Sequence, residues 1–159
     1  MIVLRTLMLL ALIVWIGGIV FFVVVLAPVV FSGVLPSCEL AGNVVNPSLT
    51  GLHWIGMVAG LIFLSSSILY NLARSTRPKV FAPLHILVLL MLLLTAVSQF
   101  GIAPRMHVLR MEMGTIDNVP QEDARRVEFN RLHQRSTQAE GGVLLLGLAA
   151  VVLTARRFG

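Results

Sequence analysis

Three polar side chains stand on one stripe of a helix that then turns wholly apolar. In F-N-R-L-H-Q-R-S-T-Q-A-E-G-G-V-L-L-L-G (129–147), His133, Ser136 and Glu140 fall at i, i+3 and i+7, one helical face. Gly141-Gly142 and an uninterrupted apolar run to Val152 follow. A carboxyl group in that position is expensive to bury and marks a functional site by default. Its nearest chemical companions are His53, in an apolar stretch beside Trp54, and His107 and Met106 in R-M-H-V-L-R-M-E-M (105–113). Imidazole with carboxylate suits several divalent metals, and thioethers such as Met106, Met111 and Met113 suit Cu(I). One or two imidazoles, here His53 and His133, suit haem iron. The candidate metal ligands are therefore His53, His133, Glu140, His107 and Met106, with copper or haem as the candidate cofactor.

The rest of the chain must hold these groups inside a membrane. Of its 159 residues 57% are hydrophobic and 12% charged, against roughly 25% charged in soluble domains. Mean hydropathy is +0.93, and several runs approach the ~20 apolar residues that cross a bilayer. This predicts an all-α, polytopic membrane protein of one domain: a four-helix bundle with an extramembrane hairpin extending helices three and four. The spans are expected at about 3–31, 48–72, 80–103 and 136–155, with a short surface helix at about 37–46 and the hairpin at about 104–135. The first run resembles a signal peptide at its start but continues through F-F-V-V-V-L-A-P, well past an h-region, so it is read as a retained helix. Ser32-Gly33 should end it, Pro28 should loosen its far end, and Trp15 lies too deep for an interfacial belt and should pack between helices. Asn46-Pro47 reads as a helix start, and 118–123 as another. Gly17-Gly18 and Gly141-Gly142 offer close-packing surfaces.

The net charge of +5 does not signal nucleic acid, because the basic residues flank apolar runs and no basic patch is interleaved with aromatics. Arg5, the link bearing Arg74, Arg77 and Lys79, and Arg156-Arg157 supply six basic residues and no acid; the other side holds six arginines with the acids. Since the short 73–79 link is basic and 32–47 carries no Lys or Arg, both termini are expected in the cytoplasm of a bacterial-type inner membrane. Depth then brings the candidates together. His53 lies about five residues, ~8 Å, inside its span, and Glu140 sits at a comparable depth in the fourth. His133 is two turns above Glu140, and His107 leaves the third span on the same side. His85 lies near the opposite end and, like the single Cys38, is read as structural.

The same residues also fit plainer chemistry. His53 and Trp54 can be interfacial, with His133 and Glu140 paired to Gln138, Ser136 or Arg135, and the Met106–Met113 stripe can be packing. Glu140 and His53 at similar depth could instead pass a proton or cation, as acids in carriers do. A third possibility is an accessory subunit in a larger membrane complex or a homo-oligomer, needing no active site. No G-x-S-x-G, Walker loop or dinucleotide fingerprint occurs, so no enzyme class is indicated.

Taken in order, W-I-G-G-I-V-F-F-V-V-V-L-A-P-V-V-F (15–31), A-G-N-V-V (41–45), L-H-W-I-G (52–56), I-A-P-R-M (102–106) and F-N-R-L-H-Q-R-S (129–136) resemble the four-helix membrane family called domain of unknown function 4149, relatives of transmembrane protein 205. The resemblance implies a multi-pass membrane protein without an assigned activity; eukaryotic relatives are associated with tolerance of platinum drugs. In architecture it is similar to copper-resistance proteins of the CopD type and to HemJ-type protoporphyrinogen oxidases. That likeness implies metal or haem handling without transferring any ligand. The working expectation is a non-enzymatic membrane protein whose polar centre is His53, His133 and Glu140.

Overall fold

The computed structural model describes residues 1–35, 37–74 and 83–158, apart from the side chains of Cys38, Asp117 and Phe158. The expected start of the third span at about 80, the basic residues Arg77 and Lys79, and the Cys38 side chain lie outside what is described. Four long helices run in order: α1 (Ile2–Val34), α2 (Cys38–Arg74), α3 (Pro83–Met113) and α4 (Ala124–Phe158). Each is long and apolar enough to cross a membrane, and no strand occurs among the described residues. The chain is an all-α, four-helix integral membrane protein.

Prolines shape the long helices without breaking them. Proline lacks an amide hydrogen and crowds the carbonyl four residues back, so the helix widens locally. In α1 a π-helical stretch, Phe22–Leu26, precedes Pro28, and the Ala27 amide reaches back five residues to the Phe22 carbonyl. Gly33, at φ +90°, then ends the helix where Ser32-Gly33 was expected to. In α3 a second such stretch, Val97–Ile102, precedes Pro104, with the Ala103 amide bonded to the Ser98 carbonyl.

Pro47 departs from expectation. It reads as the start of a new helix after a surface element at 37–46, yet α2 runs through it from Cys38 without interruption. The missing hydrogen deprives only one carbonyl of its partner, and neighbouring contacts compensate. Ser37 caps the start, its Oγ accepting from the Leu40 amide at 3.2 Å. Arg110 of α3 donates to the Glu39 carbonyl at 2.7 Å, tying this turn to the hairpin. The Ser48 hydroxyl donates to the Val44 carbonyl at 2.7 Å. Similarly, α4 begins at Ala124 rather than near Pro120: Asp123 is the cap, its Oδ1 accepting from the Arg125 amide at 2.8 Å.

The helices pair α1 on α2 and α3 on α4, with α2 also against α3 and α1 against α4. The shared core is apolar and closely filled: Met8, Leu12, Trp15, Ile19, Phe63, Val88, Met91 and Val143 are all nearly or wholly buried. Trp15 rests in a notch made by Gly56 and Gly60 of α2, where any Cβ would run into the indole. Of the two glycine pairs singled out in the sequence, Gly18 packs on Leu52 and Gly142 on Leu94, while Gly17 and Gly141 face open space. The outer surface is as apolar as the core, with Leu61 62% and Leu145 70% exposed. In water such a surface would aggregate; in a bilayer it is the lipid-facing side. Beyond the apolar length, α3 and α4 continue into a polar hairpin. It turns at Gly114 (φ +64°) and is cross-braced by Arg105 to Glu128 at 2.8 and 2.9 Å.

Candidate functional site

Among the described residues one carboxyl group is sunk among the helices, and it meets the histidine that depth arithmetic pairs with it. His53 of α2 and Glu140 of α4 are 3% and 7% exposed, and His53 Nε2 lies 2.6 Å from Glu140 Oε1. The other ring nitrogen, Nδ1, lies 2.8 Å from Gln99 Oε1 on α3. An amide oxygen only accepts, so Nδ1 carries a hydrogen and donates to Gln99. One proton is then held between Nε2 and the carboxyl group, leaving either imidazolium with carboxylate or neutral imidazole with a carboxylic acid. Both forms satisfy every ring nitrogen, which a buried histidine requires. Three helices thus contribute one residue each to a fixed polar knot.

Gln99 is the member that sequence reading passed over. It lies within the π-helical stretch of α3, where the extra residue in the turn rotates side chains away from the ordinary 3.6-residue face. The signal available was its type: an amide in an apolar span must find a partner. Ser98, from the same stretch, is 3.3 Å from Ser136 of α4, one turn above Glu140. The widened turn before Pro104 therefore presents two polar side chains inward.

Above the knot, toward the hairpin, opens a cavity of about 270 Å³ lined by His53, Gln99, Ser136, Thr50, Asn46, Met106 and His107 among others. His107 and Met106 thus share a cavity with His53. His133 does not line it. It faces a neighbouring cavity of about 170 Å³, with Met106, Asn130 and Arg110. Seven residues, about 10 Å along the axis, separate His133 from Glu140. Among the described residues no three histidine, cysteine, aspartate or glutamate side chains gather where they could share one metal ion. Trp54 and Phe100 stand on the outside of this level, ring centroids 5.9 Å apart and edge to face, both more than half exposed.

His85 belongs to the other end of the bundle. Its Nε2 is 2.7 Å from Ser67 Oγ. That oxygen also accepts from Arg157 Nη1 at 2.9 Å.

Residues 10–115, more than half of the chain, match the family described as a domain of unknown function (DUF4149). No curated protein matches the chain. No solved structure matches it either.

Proposed function

Because the chain belongs to the DUF4149 family, whose description names no activity, we propose a function from the site alone: proton-coupled handling of a small cation or polar solute. The observation that carries this is the buried 2.6 Å contact of Glu140 with His53, which in turn lines a cavity on the hairpin side. A proton shared by two such groups leaves when a cation enters beside the carboxylate and returns when it departs. Gln99 holds the imidazole in place through both states. The basic 73–79 link favours a bacterial-type inner membrane with both termini in the cytoplasm and the cavity on the opposite side.

The test is proton flux into vesicles reconstituted with the purified protein and loaded with a pH-sensitive dye. After an external acid jump, wild-type vesicles should acidify faster than protein-free ones, and Glu140→Gln should abolish the difference. Equal rates for wild type and Glu140→Gln would sink the reading.

A second reading, copper binding, is supported by Met106 and His107 lining the same cavity. A thioether and an imidazole suit Cu(I). His53 could join only by giving up Gln99 or Glu140, and His133 and Glu140 are too far apart along α4 to complete one shell with it. Stoichiometric Cu(I) binding that is lost in Met106→Leu and His107→Ala would establish this reading; no binding by the wild type would remove it.

A further inference from the structure

The cavity above the histidine–glutamate knot has a larger neighbour. A chamber of about 530 Å³ lies nearer the hairpin, between the first turns of α2 and the far end of α3, with Glu39, Asn43, Asn46, His107, Arg110 and Thr115 among its lining. Asn46 and His107 line both this chamber and the 270 Å³ cavity below it. Asn46 also borders the 170 Å³ cavity that His133 faces, so it stands where three cavities meet.

The spacing of polar residues on α2 builds this course. Glu39, Asn43, Asn46, Thr50 and His53 follow in steps of four, three, four and three residues, which keeps them on one helical face. The stripe covers about 21 Å of helix axis. Its upper three side chains line the outer chamber and its lower three the inner cavity, with Asn46 in both. From Asn43 inward exposure falls: Asn43 and Asn46 are exposed, Thr50 is half-buried and His53 is buried. Pro47 has no amide hydrogen, so the Asn43 carbonyl lacks its helical donor and adds an acceptor beside the chamber that both residues line. Opposite, α3 supplies Gln99 to the inner cavity, Arg110 to the outer one and His107 to both. At the level of the knot, Trp54 and Phe100, the sequence neighbours of His53 and Gln99, bridge the outer seam between α2 and α3 edge to face. A polar solute coming from the lipid meets two aromatic rings there. One coming from the hairpin end meets a donor or acceptor at every turn.

We propose that the two chambers form one entry path for a small hydrogen-bonding solute, and that Asn46 and His107 are its neck, the residues that decide which solutes reach the knot. The amide and the neutral imidazole each donate and accept, so they replace part of the water around a polar solute and offer an apolar one nothing. The solute is that of the proton-coupled reading, on which this part rests; the path is a matter of access and is tested without any proton flux.

The experiment is thiol labelling of the full chain in phosphatidylcholine nanodiscs, in a Cys38→Ser background, with a sulfonated methanethiosulfonate reagent that does not enter lipid. Ser136→Cys reports on the inner cavity and Thr115→Cys on the outer chamber. Adding Asn46→Trp or His107→Trp should fill the neck and slow labelling at position 136 by about tenfold, while position 115 keeps its rate. Where a tryptophan variant fails to fold, the double variant His107→Cys/Ser136→Cys takes its place. Once fluorescein maleimide, a bulky reagent, has reacted at 107, position 136 should stay closed to the small reagent. With the first thiol moved to the exposed hairpin position in Glu122→Cys, position 136 should still react. Unchanged labelling at 136 in the tryptophan variants or behind a blocked 107, or equal slowing at 115 and 136, overturns the proposal. Proton flux in vesicles with ungated labelling would remove the path and leave the knot; gated labelling without flux would leave the path and remove the proton coupling.

Discussion

His53 Nε2 sits 2.6 Å from Glu140 Oε1, eighty-seven residues away in sequence, and the pair joins α2 to α4 deep in the bundle. Removing one member of such a buried pair strands the other, a loss of about 3–5 kcal/mol; replacing both with apolar residues of similar size is often neutral. His53→Ala should therefore unfold at a clearly lower temperature, and His53→Leu/Glu140→Leu should recover most of the loss. A double variant no more stable than the single one would mean that the pair contributes little coupling.

The pair was legible in the sequence because depth along an ideal helix is simple arithmetic, and both residues lie in stretches free of proline. The third member was not. Gln99 faces inward because the turn before Pro104 is widened, and a 3.6-residue period carries no trace of that. His133 shares the stripe of Glu140 but not its level, so a face alone does not make a site. The four spans followed from hydropathy, whereas Asn46-Pro47 misled. Its local signal is a helix start, but the bond from Arg110 to the Glu39 carbonyl and the Ser37 cap extend the helix past it. Tertiary contacts outweigh one missing hydrogen bond.

The glycines separate into two classes that substitution should expose. A Cβ at Gly60 would lie 2.7 Å from both Trp15 and Leu92, and one at Gly56 would meet the same indole. Gly56→Ala and Gly60→Ala should each lower stability by about 1–3 kcal/mol through overpacking. Gly17→Ala and Gly141→Ala, which meet nothing within 4 Å, should be neutral or slightly stabilising. Thermal unfolding of the four variants checks this, and equal effects in all four would contradict the seat assigned to Trp15.

Water should reach the cavity from the hairpin side and stop at the knot. In a Cys38→Ser background, Ser136→Cys and Thr50→Cys, whose positions line the cavity, should react with a water-soluble thiol reagent. Thr95→Cys, at a position 1% exposed, should not. Labelling followed by mass spectrometry reads the result; rapid labelling at position 95 would place water below the knot.

The start of α4 should resist acid further than most helix ends. Paired hydrogen bonds from the Arg125 guanidinium and the amide of Arg125 hold the Asp123 carboxyl down at about 2. Because this value lies below that of an unfolded aspartate, the stabilisation is complete above about pH 4 and disappears as the pH falls through about 2. Amide exchange at 124–127 should accordingly stay slow down to about pH 3, and Asp123→Ala should exchange fast throughout. An identical pH profile in the variant would show that the cap contributes nothing.

Trp15, wedged against Gly56 and Gly60, has a consequence for communication along the molecule. Its indole, with Phe63, Met91 and Val88, belongs to the apolar core between the histidine–glutamate knot and the end where Ser67, His85 and Arg157 meet. These core side chains carry no ionisable group. Any tilt or slide of α1 against α2 has to carry the indole out of its glycine notch, so the notch fixes the register of the two helices.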